Sequence, residues 1–258
     1  MLTAMYDSMN TQAQRSIGFD GARNFRDLGG IPTAFGETRF GVLYRSDRLS
    51  HLSLQDYERL RVLGIETIID LRSREERERA PNRLPKEMLP SQLQRPFLPR
   101  ETLSMFNAIN TGEFDAKASH AAMIRQYQAL AVEHTQDYRR IIDDLIEPGA
   151  TPAIFHCTSG KDRTGMIAAI LLLALNAPTS AVTDDYVMTQ GRVGKVDFFN
   201  ENADGEAIET VMSAKPEYLL AAIDAMESAF GSITIYLRDG IGLTPAKQRR
   251  LKELLIGA

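Results

Sequence analysis

Two side chains in the stretch HCTSGKDRTG, residues 156–165, can act together on an anion: Cys157, the single cysteine of the chain, and Arg163 six residues later. A β-prone run at 151–155 precedes them and an apolar run at 164–175 follows. The pattern predicts a strand, a loop through Thr158, Ser159 and Gly160, and a helix opening near Arg163 or Thr164. Backbone N–H groups of such a loop converge on one point, and the helix N-terminus adds positive potential, which makes a cradle for a tetrahedral oxyanion. The same surroundings lower a thiol's pKa from about 8.5 and favour a nucleophilic thiolate. Arg163 carries the planar fork that grips two phosphate oxygens, and the Thr164 hydroxyl is placed to donate to the sulfur when it leaves. Attack of sulfur on phosphorus gives a phosphocysteine that water hydrolyses, a route needing neither metal nor cofactor. A lone cysteine after a β-run is more often an inert core side chain. Glycine, lysine and arginine at these offsets, directly before a helix, argue for the nucleophile.

The proton donor for the leaving oxygen has two candidates. Asp162 lies in the loop itself and is favoured slightly. Asp70 ends a neighbouring apolar run, where α/β sheets present functional groups, and serves either as the acid or as an orienter of Arg163. Around them, Asn24, Arg26 and Asp27 either shape the site or stabilise a turn. Arg45 and Arg72 add positive potential near a phosphate or form structural ion pairs. His156 reads as a buried imidazole holding the loop, and Tyr186 as packing.

These residues need a scaffold. Residues 22–45 are short runs broken by Gly29, Gly30 and Gly36, which predicts a hairpin or small meander. Residues 53–63 read as a helix with a Ser53/Asp56 capping box and Gly64 as its stop. Residues 65–70 read as a buried strand, 74–79 as a solvated helix or turn, and 88–93 as a further strand. Residues 101–147 are mainly helical, with Met123, Tyr127, Leu130, Ile141, Ile142 and Leu145 facing the core. The run at 164–175 is apolar all round and belongs at the centre. After Pro178 the chain reads as helices near 181–189, 205–212, 216–230 and 244–256, with Pro216 and Pro245 in first turns and Gly231 at an end. Strands alternating with helices give the α/β class. The expected organisation is a flexible N-terminal lead-in over residues 1–20 and one domain over 21–258. The segment after Gly191 is favoured over 101–147 as a mobile cover.

Composition limits the partners. In 258 residues, 43% are hydrophobic and 25% charged, the balance of an ordinary globular protein. A net charge of −4 gives no bulk attraction to nucleic acid or anionic membranes. One cysteine excludes an intrachain disulfide and a four-cysteine metal site. The longest apolar stretch is far shorter than the roughly 20 residues of a membrane-spanning helix. No basic-then-apolar leader opens the sequence, so the expected location is the cytoplasm, with signal-independent export outside this reading. Oligomeric state leaves no mark.

The spacing C-x5-R resembles the signature of cysteine-dependent phosphatases. HCTSGKDRTG is similar to the active-site loop of the bacterial tyrosine phosphatases of dual and triple specificity, which act on phosphotyrosine, phosphoserine or phosphothreonine, and phosphoinositides. NFRDLGG at 24–30, YRSD at 44–47, LGIETIIDLRSREE at 63–76, DDY at 184–186, and PEYL followed by GSITIYLRDGIGLT extend the resemblance over residues 20–256. It implies a central, mainly parallel sheet flanked by helices, with extra helices covering the active site. It also implies Cys157 as nucleophile, Arg163 as phosphate binder, Lys161 in phosphoinositide recognition and Asp162 in catalysis. The expected substrate is a phosphoprotein or, alternatively, a phosphoinositide, bound by residues 158–161 and Thr164. A silent phosphate-binding module and a rhodanese-like sulfurtransferase fit the trio Cys157, Arg163 and Thr164 less well.

Overall fold

Five strands form the central sheet in the order β1-β4-β7-β5-β6, which puts β7 (Ala153–His156) in the middle. In the computed structural model, which describes residues 13–84, 90–194 and 198–257, β7 pairs in parallel with β4 (Leu43–Ser46) and β5 (Thr67–Asp70). The strand β6 (Ser91–Gln94) adds in parallel to β5, and β1 (Arg26–Asp27) runs antiparallel at the other edge. A separate hairpin joins β2 (Pro32–Thr33) to β3 (Gly36–Glu37). Strands β4, β5 and β7 are buried along their whole length, as parallel strands covered on both faces must be.

The helix α1 (Leu54–Val62) starts at the capping box expected of Ser53 and Asp56 and stops before Gly64, whose φ of +63° suits glycine. Next comes the short α2 (Arg74–Arg79), capped by Ser73 and Glu76. The predicted helical stretch after residue 100 is three helices, α3 (Glu101–Asn110), α4 (Ala116–Glu133) and α5 (Thr135–Ile146). All six predicted core residues there are buried. The helix α6 (Asp162–Ala174) is buried from Arg163 to Ala174, the central helix its apolar sequence calls for. It is followed by α7 (Thr179–Val187), α8 (Gly205–Met212), α9 (Pro216–Phe230) and, after a short helical segment at Ile233–Ile235 that continues as one π-turn over Tyr236–Gly240, α10 (Pro245–Leu255). Pro216 and Pro245 sit in first turns and Gly231 ends α9 in a left-handed conformation.

One expectation changes. Residues 1–12 of the proposed lead-in, and residues 88–89 of the proposed 88–93 strand, lie outside the described residues. The rest of the lead-in is docked: Arg15 is buried against Asp185, while Ile17 and Phe19 pack on the core. A guanidinium paired 170 positions away in sequence is invisible to local composition.

Candidate active site

Register sets the site. Ser46, His156 and Asp70 lie side by side at the carboxyl ends of β4, β7 and β5, so Cys157 emerges where open α/β sheets form their crevice. The loop 157–161 turns there into α6. Gly160 has φ +67°, and a Cβ on it would stand 2.7 Å from the Ser46 carbonyl oxygen and 2.8 Å from Asn24 Nδ2. Only glycine fits this turn. Asn24 Nδ2 donates to the carbonyls of Ser159 (3.2 Å) and Gly160 (3.0 Å), and Arg45 donates to Gly160 (2.9 Å). With these carbonyls tied back, the amides of Thr158, Ser159, Gly160 and Lys161 donate to no protein acceptor among the described residues. Such unengaged amides suit an anion-binding nest.

Arg163 is aimed by a residue that sequence reasoning did not single out. Its two terminal nitrogens donate to the two carboxylate oxygens of Glu76 at 2.7 and 2.6 Å, and one also reaches the Leu71 carbonyl at 3.2 Å. Glu76 further accepts from Thr158 Oγ1 and from the Ser73 amide. Burial opposes the Glu76 charge, but the bonds and charge of Arg163, with Thr158 and Ser73, outweigh it and bring the pKa to about 2. Arg163 is buried too, yet Glu76, Cys157 and Asp162 together raise its pKa, so it stays a cation. The sequence signal, Ser73-x-x-Glu76, is a capping box and is used as one. The second use of the same carboxylate is tertiary. The expectation of a merely solvated 74–79 segment is corrected at this one residue.

Asp70 is the counterpart correction. Its carboxylate receives the Arg72 amide (3.0 Å), two Arg72 guanidinium nitrogens (2.9 and 2.7 Å) and Asn82 Nδ2 (3.3 Å). Fully partnered and turned to Arg72, it is neither the orienter of Arg163 nor a free acid. Arg72 is completed by the Ala80 carbonyl and Asn82 Oδ1, making the structural ion pair of its two readings, although it also borders the cleft. His156 is the buried loop holder expected: Nδ1–H donates to the Cys157 carbonyl (3.2 Å) and Nε2 accepts from Asn82 (3.2 Å). Burial drives its pKa down to about 4, in keeping with this neutral tautomer.

Within the loop, side-chain directions separate residues that the sequence lists together. Cys157 is a free thiol, buried to 1% exposure. Lys161 does not offer a free ammonium to a phosphate. Its Nζ donates to the carbonyls of Val211 (2.6 Å) and Ser213 (3.3 Å), the C-terminus of α8, and stands 3.0 Å from Asp162 Oδ1. A cation there complements the helix dipole. Asp162 also accepts from Tyr127 at 2.8 Å and keeps its side chain 23% exposed. Thr164 Oγ1 is buried without a partner among the described residues, so the expected donation to sulfur is not formed.

Behind the loop lies a buried charge cluster. Asp185 on α7 is paired with Arg15, Arg26 and Arg45. Burial opposes its charge, but the three guanidiniums outweigh it and hold it far below the carboxylate range. Arg26 also donates to Asn24 Oδ1, to the Asp185 carbonyl (2.9 Å) and to Thr189 (3.1 Å). Asp27 takes the amides of Gly29 (2.7 Å) and Gly41 (2.8 Å) and serves the turn. Asn24, Arg26 and Arg45 therefore support the loop from behind rather than contact its mouth.

The mouth is a cleft of about 270 Å³. Thr158, Ser159, Lys161, Asp162, Arg163 and Glu76 form its polar end, and Leu98, Leu103, Phe106, Met123, Phe198 and Met212 its apolar wall. Both α3 and the 198–212 region contribute, so the two candidate covers flank the cleft together. No single helix among the described residues is long and apolar enough to cross a membrane.

Known proteins are similar to this chain over most of its length. Triple specificity protein phosphatase PtpB of Mycobacterium tuberculosis is 29% identical over 92% of this chain and 98% of its own length. A Cupriavidus necator protein with a provisional tyrosine-protein phosphatase name is 28% identical over 93% of this chain and 89% of its own. A tyrosine-protein phosphatase of Nostoc commune is 24% identical over 82% and 73%. The family model described as the tyrosine phosphatase family matches residues 17–257, and with a cysteine loop of this geometry at the sheet's carboxyl edge, the chain belongs to that family.

Proposed function

We propose that the site hydrolyses phosphotyrosine in proteins, and phosphoserine and phosphothreonine more slowly, through a phosphocysteine. The observation that carries this reading is the placement of Arg163, locked by Glu76 at the polar end of a cleft whose other wall is apolar. A phosphate seated on the loop and on Arg163 projects its ester group along that wall, where an aromatic ring buries most surface. Cys157 sulfur attacks phosphorus as the P–O ester bond breaks. Asp162 gives its proton to the leaving oxygen, then takes one from the water that cleaves the P–S bond and returns the sulfur. A phosphoinositide is the second substrate reading. The sequence argument for it was a second cation at Lys161, and that ammonium is engaged with α8, which puts the protein substrate first.

The test is hydrolysis of phosphotyrosine, phosphoserine and phosphothreonine peptides and of phosphoinositide vesicles, without added metal, by the wild type and Cys157→Ser. The expected outcome is loss of all activity in the variant and a ranking headed by phosphotyrosine. Equal rates for the two proteins overturn the covalent route, and a ranking headed by the lipid reverses the substrate assignment.

A further inference from the structure

Asp162 is held by one oxygen only. Oδ1 accepts from Tyr127 (2.8 Å) and lies 3.0 Å from Lys161 Nζ, whereas Oδ2 has no hydrogen-bond partner among the described residues. Tyr127 is fully buried on α4, and its oxygen lies 2.6 Å from the hydroxyl of Tyr186 on α7. Since Tyr127 has one proton and gives it to Asp162, Tyr186 must donate to Tyr127. The chain Tyr186→Tyr127→Asp162 thus brings two helices to bear on one carboxylate oxygen. Burial, with the nearby Asp162 charge, holds both phenols well above their ordinary pKa, so they remain donors.

We infer that Tyr127, backed by Tyr186, is a positioning residue that fixes Asp162 Oδ1 and leaves Oδ2 to carry the proton exchanged with the leaving group and with water. This rests on the reading of Asp162 as the general acid. The arrangement suits the acid's task. As the proton passes from Oδ2 to the ester oxygen, negative charge appears on Asp162, and two donors already stand in place to receive it. Charge that develops against fixed donors costs little reorganisation. Hydrogen bonds in series also polarise one another. The other groups facing Asp162 are Lys161, Arg163 and Tyr218 of α9. The Lys161 ammonium also stands 3.0 Å from Oδ1, so Tyr127 is not its sole support.

The experiment compares Tyr127→Phe, Tyr186→Phe and Asp162→Asn with the wild type on p-nitrophenyl phosphate and on an alkyl phosphate, whose leaving group needs the acid. General acid catalysis contributes about 10²–10⁴-fold, and mispositioning forfeits part of it, so Tyr127→Phe is expected to lose about 10–100-fold on the alkyl ester. It is expected to lose no more than about 3-fold on the nitrophenyl ester, whose departure needs little proton transfer. The alkaline limb of its kcat/KM profile is expected to move to higher pH, because the donor that steadies the carboxylate form is gone. Tyr186→Phe should move the same limb in the same direction by less. Equal losses on both esters with the limb unmoved overturn the positioning role. If Tyr127→Phe does not fold, an unmoved limb in Tyr186→Phe does the same. Should Asp162→Asn keep the wild-type dependence on leaving group, the acid is another residue, and both readings fall.

Discussion

At the scale of single residues, Glu76 decides how well Arg163 can serve. A guanidinium is useful to a phosphate only if its fork is already aimed, and Glu76 engages both terminal nitrogens at 2.6–2.7 Å. Glu76→Gln keeps the shape and removes the charge. An amide keeps one acceptor oxygen and sets an NH2 donor against the other guanidinium nitrogen, so Arg163 loses its two-pronged hold. Hydrogen bonds to charged groups are worth about 1.5–3 kcal/mol each, so kcat/KM on p-nitrophenyl phosphate should fall about 10–100-fold, with weaker inhibition by inorganic phosphate. Unchanged kinetics and unchanged phosphate inhibition would show that Arg163 is held by the Leu71 carbonyl and packing alone. Because the Glu76 pKa is depressed to about 2, the pair is intact throughout the usual assay range. Its contribution to stability is present above the ordinary glutamate value and fades as pH falls from there toward 2. The sequence showed the loop and its nucleophile because their chemistry is local. Glu76 was hidden because S-x-x-E has a sufficient local explanation, and the partners of the Lys161 ammonium and the Asp70 carboxylate were not legible because spacing gives no side-chain direction.

At the scale of elements, the loop is kept in shape by segments far apart in sequence. Strand β4 supplies Arg45, the chain before β1 supplies Asn24, and α7 supplies Asp185, which binds Arg45 and Arg26 together. Three guanidiniums around one carboxylate leave an excess of positive charge in a buried place, so the cluster depends on Asp185. Removing one partner of a buried ion pair costs about 3–5 kcal/mol, since the charge left behind is uncompensated. Asp185→Asn should therefore lower the urea unfolding free energy by about that amount, and a loss under about 1 kcal/mol would mean that Asn24 and Thr189 for Arg26, the Asp27 carbonyl for Arg15 and the Gly160 carbonyl for Arg45 suffice. Helix starts and stops were legible, as Ser53, Pro216, Gly231 and Pro245 act within a few residues of themselves. The cluster was not, because YRSD and DDY lie about 140 positions apart and each reads alone as ordinary charge.

At the scale of the whole molecule, the parallel register brings the ends of β4, β7 and β5 to one level, and that places a buried histidine directly beneath the loop of a cysteine-dependent phosphatase. The alternation of apolar runs made the α/β class readable, whereas strand order, and with it the neighbours of His156, depends on long-range pairing. His156 titrates near 6.5 when the chain is unfolded and about 4 when folded, because burial excludes the imidazolium. Between those values the unfolded state binds more protons, so this residue's contribution is present above about pH 6.5 and is lost as pH falls toward 4. At roughly 1.4 kcal/mol per pKa unit, the full loss is about 3 kcal/mol. Asp47 works in the opposite sense: burial raises it to about 6, so its contribution is lost as pH rises from the ordinary aspartate value to 6. The wild-type curve alone mixes the two. The difference between wild type and His156→Asn isolates the histidine, because Asp47 is common to both proteins. Unfolding free energies in guanidinium chloride at pH 7.5, 6.0, 5.0 and 4.5 should give a difference that favours the wild type most at pH 7.5 and shrinks by about 2–3 kcal/mol at pH 4.5. A difference independent of pH would mean that the folded imidazole binds its proton as readily as the unfolded one, and a difference that grows as pH falls would mean an imidazolium paired with Asp70 at 3.7 Å; either result removes the neutral tautomer beneath Cys157.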